Sequence, residues 1–411
     1  GLSLLEGKIG FVKKIPSSMK RGNIMGKRKL LLIFTVAVTL FISGCWNYSE
    51  IDDKRIVAGS ALDYDREKEM LELTVELVKP VMGMNEAQIK AETFESMGDN
   101  LFNAIRNLIS KTGKKVFWSH AKVLILSEAM ANEKDKFLSV IDFIKRDAET
   151  RDDIMLLVSR EKTAGEVLKT DLKVQDIISF HLEDMLQNYT NISKYRAVPL
   201  WKFIDELSGE GISATLPTVD IYKYNDKQVS QIFGTAVFKG SKIVGYLDGS
   251  QTKGFLFVID ELKGGTIVIK NDELSDNEIR IAFEIFKNKT KIKPLYKDEK
   301  ISMEVDIKTT VNINEIDGYV DLMDEESLEI IRKDGESTIK KSVEGVIKKV
   351  QEEYRSDIFG FGAALSREMP DIWKKTKSNW EDVFAKLDVK VDVDLEIRSS
   401  SLKSKTIRIG D

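Results

Sequence analysis

Two hydrophobic periods alternate along this chain, one of about 2 residues and one of about 3.6. Ile56 to Leu62 reads as a strand. A polar turn follows at Asp63-Tyr64-Asp65-Arg66, then a second strand in which Leu71, Leu73, Val75 and Leu77 take every other place. Met97, Leu101, Ile105, Leu108 and Ile109 share one face of a helix expected over about 97–111, with Gly113 just past its end. Val116–Leu126 reads as a strongly apolar strand carrying His120. Phe137, Leu138, Ile141 and Ile144 mark a helix, and Ile154–Val158 another strand. Helical patterns at about 163–169, 175–189 and 199–208 lead to a strand at Ile212–Tyr222. Gln231–Phe238 and Lys242–Leu247 form a hairpin turning at Gly240-Ser241, and Gly265–Lys270 is a short strand. Ile301, Met303, Val305 and Ile307 open a long half-buried strand. Ile339, Val343, Val346, Ile347, Val350 and Tyr354 line a helix over about 336–355. Finally Leu387, Val389, Val391, Val393, Leu395 and Ile397 alternate with charged residues without a break. These elements predict an α+β fold of mixed, mostly antiparallel sheets packed with helices, in two to three domains. The polar stretch Lys223–Gln228 is the expected boundary. It divides an N-terminal α/β module at 45–225, itself open to a split into two lobes, from a C-terminal α/β module at 226–411.

Ahead of these elements the pattern is different. Lys27-Arg28-Lys29 precede about thirteen apolar or small residues, Leu30 to Ile42. A membrane span needs about 20, so the shorter run behind a basic flank fits the hydrophobic region of a signal peptide. It ends in Ile42-Ser43-Gly44-Cys45, the lipobox pattern of a branched apolar residue, two small residues and a cysteine. The thiol is the nucleophile that takes up a diacylglyceryl group, and the small residues let the peptide bond enter the signal peptidase. Residues 1–44 are therefore expected to be leader and signal peptide, with 1–18 upstream of the true start, since Met19 and Met25 are both candidate starts. Cys45 is the expected lipidation site, bearing diacylglycerol and an N-acyl chain, with no other cofactor. Two or more acyl chains anchor stably where one is marginal.

Charge sharpens this division. The whole chain carries a net −4, yet residues 1–44 hold eight Lys or Arg against Glu6 alone, so the part from Cys45 onward carries −11. An acidic body argues against a nucleic-acid partner. Cys45 is the single cysteine, which excludes an intramolecular disulfide. His120 and His181 are the only histidines and show no metal-ligand spacing, so both are read as structural. No Gly-x-Ser-x-Gly elbow or complete P-loop occurs, and Gly360-Phe361-Gly362 is read as a helix stop. Asp63, Asp65, Glu67 and Glu69 are read as a solvated turn, and Asp388, Asp392 and Asp394 as a solvated strand face, because the glycine and the closing Glu of an EF-hand are missing. Trp201, Trp373 and Trp380 are assigned to the core. No metal site and no enzymatic activity are expected.

Several stretches in order resemble the Ger(x)C family, the lipoprotein (C) subunits of spore germinant receptors. They are Gly44-Cys45-Trp46-Asn47 with Glu50-Ile51 and Ile56-Val57-Ala58-Gly59 through Leu62-Asp63, then Phe117-Trp118-Ser119-His120-Ala121-Lys122-Val123. Asp142-Phe143-Ile144-Lys145-Arg146-Asp147 follows, then Thr235-Ala236-Val237-Phe238 with Lys242 to Leu247. The last is Asp357-Ile358-Phe359-Gly360-Phe361-Gly362 with Trp373 and Trp380. Family members typically carry Asp where Asn47 stands. The resemblance covers the chain from Cys45 onward. It implies a non-enzymatic subunit that is lipid-anchored to the outer face of the spore inner membrane. Its partners would be the membrane itself, a multi-spanning A subunit and a transporter-like B subunit. The alternative from another class is a solute-binding lipoprotein of a transporter, which expects two lobes with parallel sheets around a cleft. A surface hydrolase is a third and weaker reading.

Overall fold

The computed structural model describes residues 54–82, 87–170, 176–271, 279–318 and 324–398, with the single positions 32, 34 and 322 besides. Strands β1 (Lys54–Asp65), β2 (Met70–Met82) and β3 (Ala87–Gly98) run antiparallel as a meander. Helix α1 (Leu101–Thr112) follows. Its first turn is capped by the Asn100 side chain, which accepts from Asn103 N, and it ends at Gly113 with φ 70°. Next come β4 (Lys115–Phe117), β5 (Val123–Leu126), α2 (Glu128–Asn132), α3 (Lys134–Arg146) and β6 (Met155–Ser159). A 3₁₀ turn at Ala164–Lys169 leads to α4 (Ile178–Gln187), α5 (Tyr189–Ile192), α6 (Leu200–Ser208), β7 (Thr215–Tyr224), β8 (Lys227–Lys239) and β9 (Lys242–Leu247).

Among the described residues these strands form one sheet in the order β3-β2-β1-β5-β6-β7-β8-β9, with β4 also paired to β1. Its centre, β1-β5-β6-β7, is parallel and its flanks are antiparallel. Central parallel strands are covered on both faces, so they need not alternate. Val123, Leu124, Ile125 and Leu126 are accordingly all buried. One face holds Phe137, Phe203 and Phe238, whose ring centroids lie 5.3–6.1 Å apart. The other packs on Val167, Leu182 and Leu186.

The second half opens with α7 (Gly249–Val258), begun by a capping box between Asp248 and Gln251. Among the described residues a four-stranded sheet follows: β10 (Thr266–Asn271), β11 (Ile279–Lys297), β12 (Lys300–Asp317) and, last of these in sequence, β13 (Asp388–Ile397). Between β12 and β13 run α8 (Glu325–Lys349), α9 (Phe361–Glu368), α10 (Pro370–Thr376) and α11 (Trp380–Phe384). Ile331, Ile339, Val343 and Val346 of α8 pack on Phe283, Val305 and Leu395 of the sheet. Gly335 lets Leu395 close on the helix, because a Cβ there would overlap it.

Several expected elements take a more definite form, and some change. The polar stretch Lys223–Gln228, the expected boundary, is the turn of hairpin β7–β8, with Asn225 and Asp226 at φ 49° and 61°. The sheet therefore continues through the division expected at 225/226. Val116–Leu126 is two strands, and His120 lies exposed in the turn between them. The first turn falls at 66–69, after Asp63 rather than on it. The long helix begins at Glu325, about eleven residues before the expected start near 336. β13, whose alternation suggested an antiparallel neighbour, pairs parallel to β12. Trp201 is 53% exposed, whereas Trp373 and Trp380 are buried as expected.

A buried ion cluster joins the halves. Arg196, 2% exposed, donates from Nη2 to Glu206 Oε1 at 2.7 Å and to Glu261 Oε1 at 3.0 Å, and from Nη1 to Thr215 Oγ1 at 2.7 Å. Burial alone would raise the Glu261 pKa, but Arg196 and Lys202 together hold it below the ordinary carboxylate value. Removing one member strands buried charge. Arg196→Met is therefore expected to cost about 3–5 kcal/mol in urea unfolding, and Lys202→Met, at a partly exposed bridge, about 1 kcal/mol or less.

Candidate functional site

Family-like residues from the segment 355–384 meet the first sheet at one place. Loop 209–213 precedes β7, the turn at Gly240 closes β8–β9, and loop 355–360 precedes α9. With α10 and α11 they enclose a cleft of about 460 Å³ lined by Ile212, Lys239, Asp357, Trp373 and Trp380. Hydrogen bonds fix the three loops together. Ser213 N donates to Asp357 O at 2.7 Å, Ala363 N to Gly211 O at 2.9 Å, and Ser356 Oγ to Phe238 O at 2.6 Å. Gly211 has φ 73°, and a Cβ there would overlap the Gly362 backbone, so glycine is required twice over.

Asp357 is the centre of this joint. Its Oδ1 accepts from Phe359 N (3.1 Å) and Phe361 N (3.2 Å), and its Oδ2 from Gly362 N (2.8 Å) and Trp380 Nε1 (3.0 Å). Gly360 occupies the N-cap of α9 at φ 74° and has no side chain to cap with, so the carboxylate three residues earlier takes that role. Gly360 thus starts a helix, where the sequence suggested that it stops one. Burial dominates the electrostatics and pushes the Asp357 pKa up to about 6, although the four donors and the helix start pull it down. Beneath it Phe359, Phe361 and Phe384 stack at 5.3–6.3 Å, and Trp373 meets Trp380 edge-on at 5.3 Å.

The cleft rim is bridged by ions. Glu210 accepts from Trp373 Nε1 at 3.2 Å and Lys377 Nζ at 3.4 Å, contacts that hold its pKa below the ordinary value. Lys239 pairs with Glu381 at 2.7 Å, and Arg355 with Asp382. Glu210, Lys239, Arg355 and Glu381 gave no signal in the sequence, since each is one charged residue in a polar stretch. Only the fold brings them to one rim.

The remaining candidates separate. Cys45, Ile42, Ser43 and Gly44 lie outside the described residues. His181 sits on α4 with its pKa lowered by burial, and His120 packs against Phe117 in its turn. Asp63 is not a solvated turn residue. It is 5% exposed and accepts from Ala164 N (2.7 Å) and Gly165 N (3.1 Å) at the start of the 3₁₀ turn. Glu76, unremarked in the sequence, does the same for α4 through Ile178 N and Ser179 N, both at 2.8 Å. Among the described residues no group of three or more His, Cys, Asp or Glu is placed to hold a metal ion.

Residues 47–221 match the model of the spore germination protein N-terminal domain, and residues 233–401 that of the spore germination B3/GerAC-like C-terminal domain. The chain belongs to the Ger(x)C family. Spore germination protein YndF of Bacillus subtilis (strain 168) is 27% identical over 409 residues, covering 90% of this chain and 96% of that protein. Spore germination protein B3 of the same organism is 26% identical over 367 residues, covering 87% and 94%. The crystal structure of the GerBC protein superposes with a TM-score of 0.53 at 22% identity, covering 82% of this chain and 96% of that one, which establishes the shared fold. The interval between the two Ger(x)C matches is the arm of hairpin β7–β8, so both matched segments contribute strands to one sheet. The family descriptions name spore germination and no reaction.

Trp380→Phe removes one donor to a buried carboxylate. At pH 8, where Asp357 is ionised, the loss should be about 1.5–3 kcal/mol in urea unfolding. At pH 5 the group is largely protonated in the folded protein, and the loss should shrink. The sign follows from a folded pKa of about 6 above the unfolded value of 3.8. Asp357's contribution to stability is thus fully present at low pH and falls away as pH rises through this window. Equal losses at both pH values would contradict this.

Proposed function

We propose that this chain is the lipid-anchored C subunit of a nutrient germinant receptor. Held through Cys45 on the outer face of the spore inner membrane, it supports nutrient-triggered germination by assembly or coupling with the A and B membrane subunits. The observation that carries this reading is family membership along the whole folded body, joined to a lipobox immediately ahead of it. The relatives it matches along nearly their full length are themselves called spore germination proteins. The joint at Asp357 suits a coupling role, because it locks the closing segment of the chain onto the first sheet and leaves an open, ion-bridged rim.

Deleting the gene should abolish germination to one or a few nutrients while leaving a receptor-independent trigger effective. Normal germination to every nutrient, together with micromolar binding of an amino acid or sugar by the purified protein, would instead assign a transport receptor. Cys45→Ala should release the protein from the membrane fraction and lower the nutrient response by about tenfold or more, because the tether sets the local concentration at the partners. A response unchanged by Cys45→Ala would rule out lipid anchoring as the basis of function.

A further inference from the structure

Residues 100–127 contain five Lys or Arg and no Asp or Glu, within a body that carries −11 from Cys45 onward. The fold places this stretch beside the point where the body begins. Lys54, the first residue of β1, is paired in register with Lys115 of β4, and Arg55 with Val116. Lys111 and Lys114 close α1 immediately before β4, while Lys122 is turned to a salt bridge with Glu183. The cations are interleaved with aromatic rings. Lys54 Nζ lies 4.5 Å from the Phe117 ring centroid, and Arg106 lies 4.8 Å from that of Phe102, which is itself 50% exposed. Phe102 leans on Phe143 at 6.1 Å, and a hollow of about 190 Å³ runs between Lys54, Phe102, Arg106 and Lys115. Asp147 and Glu149 also border it. The Asp147 carboxylate is occupied by Thr150 N and Oγ1.

From these positions we infer that the Lys54/Phe102/Arg106/Lys115 face lies against the anionic phospholipid surface of the membrane. The inference rests on the reading of Cys45 as the lipid anchor. Only eight residues separate Cys45 from Lys54, a reach of at most about 30 Å over the nine steps when fully extended. An acidic body on so short a tether is repelled by an anionic leaflet unless it presents its most basic side, here the 100–127 stretch with Lys54 and Arg55. That side is the one next to the tether. An exposed Phe ring beside Lys and Arg suits the headgroup boundary, where the ring enters the apolar edge and the cations meet the anionic lipids. Each basic residue held there strengthens association about fivefold, so three charge reversals should remove well over tenfold.

The test uses the mature, lipidated chain and its Lys54→Glu/Arg106→Glu/Lys115→Glu variant. Each is reconstituted on vesicles of phosphatidylcholine alone or with about one-third phosphatidylglycerol, and read by flotation and hydrogen exchange. The expected result is retention on both vesicles, with protection across 100–118 on the anionic ones only, lost in the variant. The same protection should fade in the unaltered chain between about 0.1 and about 0.5 M salt, which guards against a variant that fails to fold. Retention on both vesicles without anionic-specific protection overturns the inference and leaves the anchor standing. Retention on anionic vesicles alone upholds the face and overturns the anchor. Retention on neither overturns both.

Discussion

Three buried carboxylates hold this fold together at the starts of helical segments that receive no capping bond from their own N-cap side chain. The 3₁₀ turn at Ala164 follows Thr163, whose hydroxyl is turned to Glu166, and α4 and α9 follow Ile177 and Gly360, which carry no side-chain acceptor to cap with. Asp63, Glu76 and Asp357 supply the missing acceptor, each with two or more backbone N–H groups converging on it. Unsatisfied N–H groups at a buried helix start are costly, and so is an ionised carboxylate taken out of water. Each group compensates the other, with the helix dipole adding to the match. Burial still wins in part, since all three acids have their pKa raised. Asp63 and Glu76 pin helical segments to strands about a hundred residues away in sequence, and Asp357 fastens the closing segment to the first sheet.

That fastening explains how two family segments become one body. The first sheet draws β8 and β9 from beyond the first match, while α7 is buried almost all round. A helix covered on every side shows no apolar stripe, and its two glycines lower its helical propensity further. Gly254 is where α7 closes on α8, since a Cβ there would press on Ser342 O. The Arg196 cluster ties the end of α7 to α6 and β7 with charges that bulk solvent scarcely reaches. Relative motion of the two halves would have to break this cluster or the Asp357 joint, both of which are closed here.

Among the described residues, charged and aromatic features lie at a joint, a rim and a basic face. The cleft at Asp357 and the basic face at Lys54 belong to different parts of the first sheet, one at β8 and the other at β1 and β4. The two proposed contacts, one to the membrane and one for coupling, can therefore be tested by separate mutations.

The sequence by itself determined the strands with one solvated face and the helices with one apolar stripe. β2, β12, β13, α3 and α6 are legible because one-sided burial writes its period into the side chains. The closing segment, with Asp357, Trp373 and Trp380, was legible as a family likeness but not as a joint. β3 and β11 escaped notice for a physical reason. β3 carries Ser96 and charged residues, and β11 shifts register at Ile285/Lys287, so its inward row passes from Ile and Phe to Asn288 and Thr290. Sheet direction, the capping of helices by distant acids, and the gathering of Glu210, Lys239, Arg355 and Glu381 at one rim were decided only by the tertiary structure. Each depends on residues far apart in the chain, and a local period carries no record of what lies opposite.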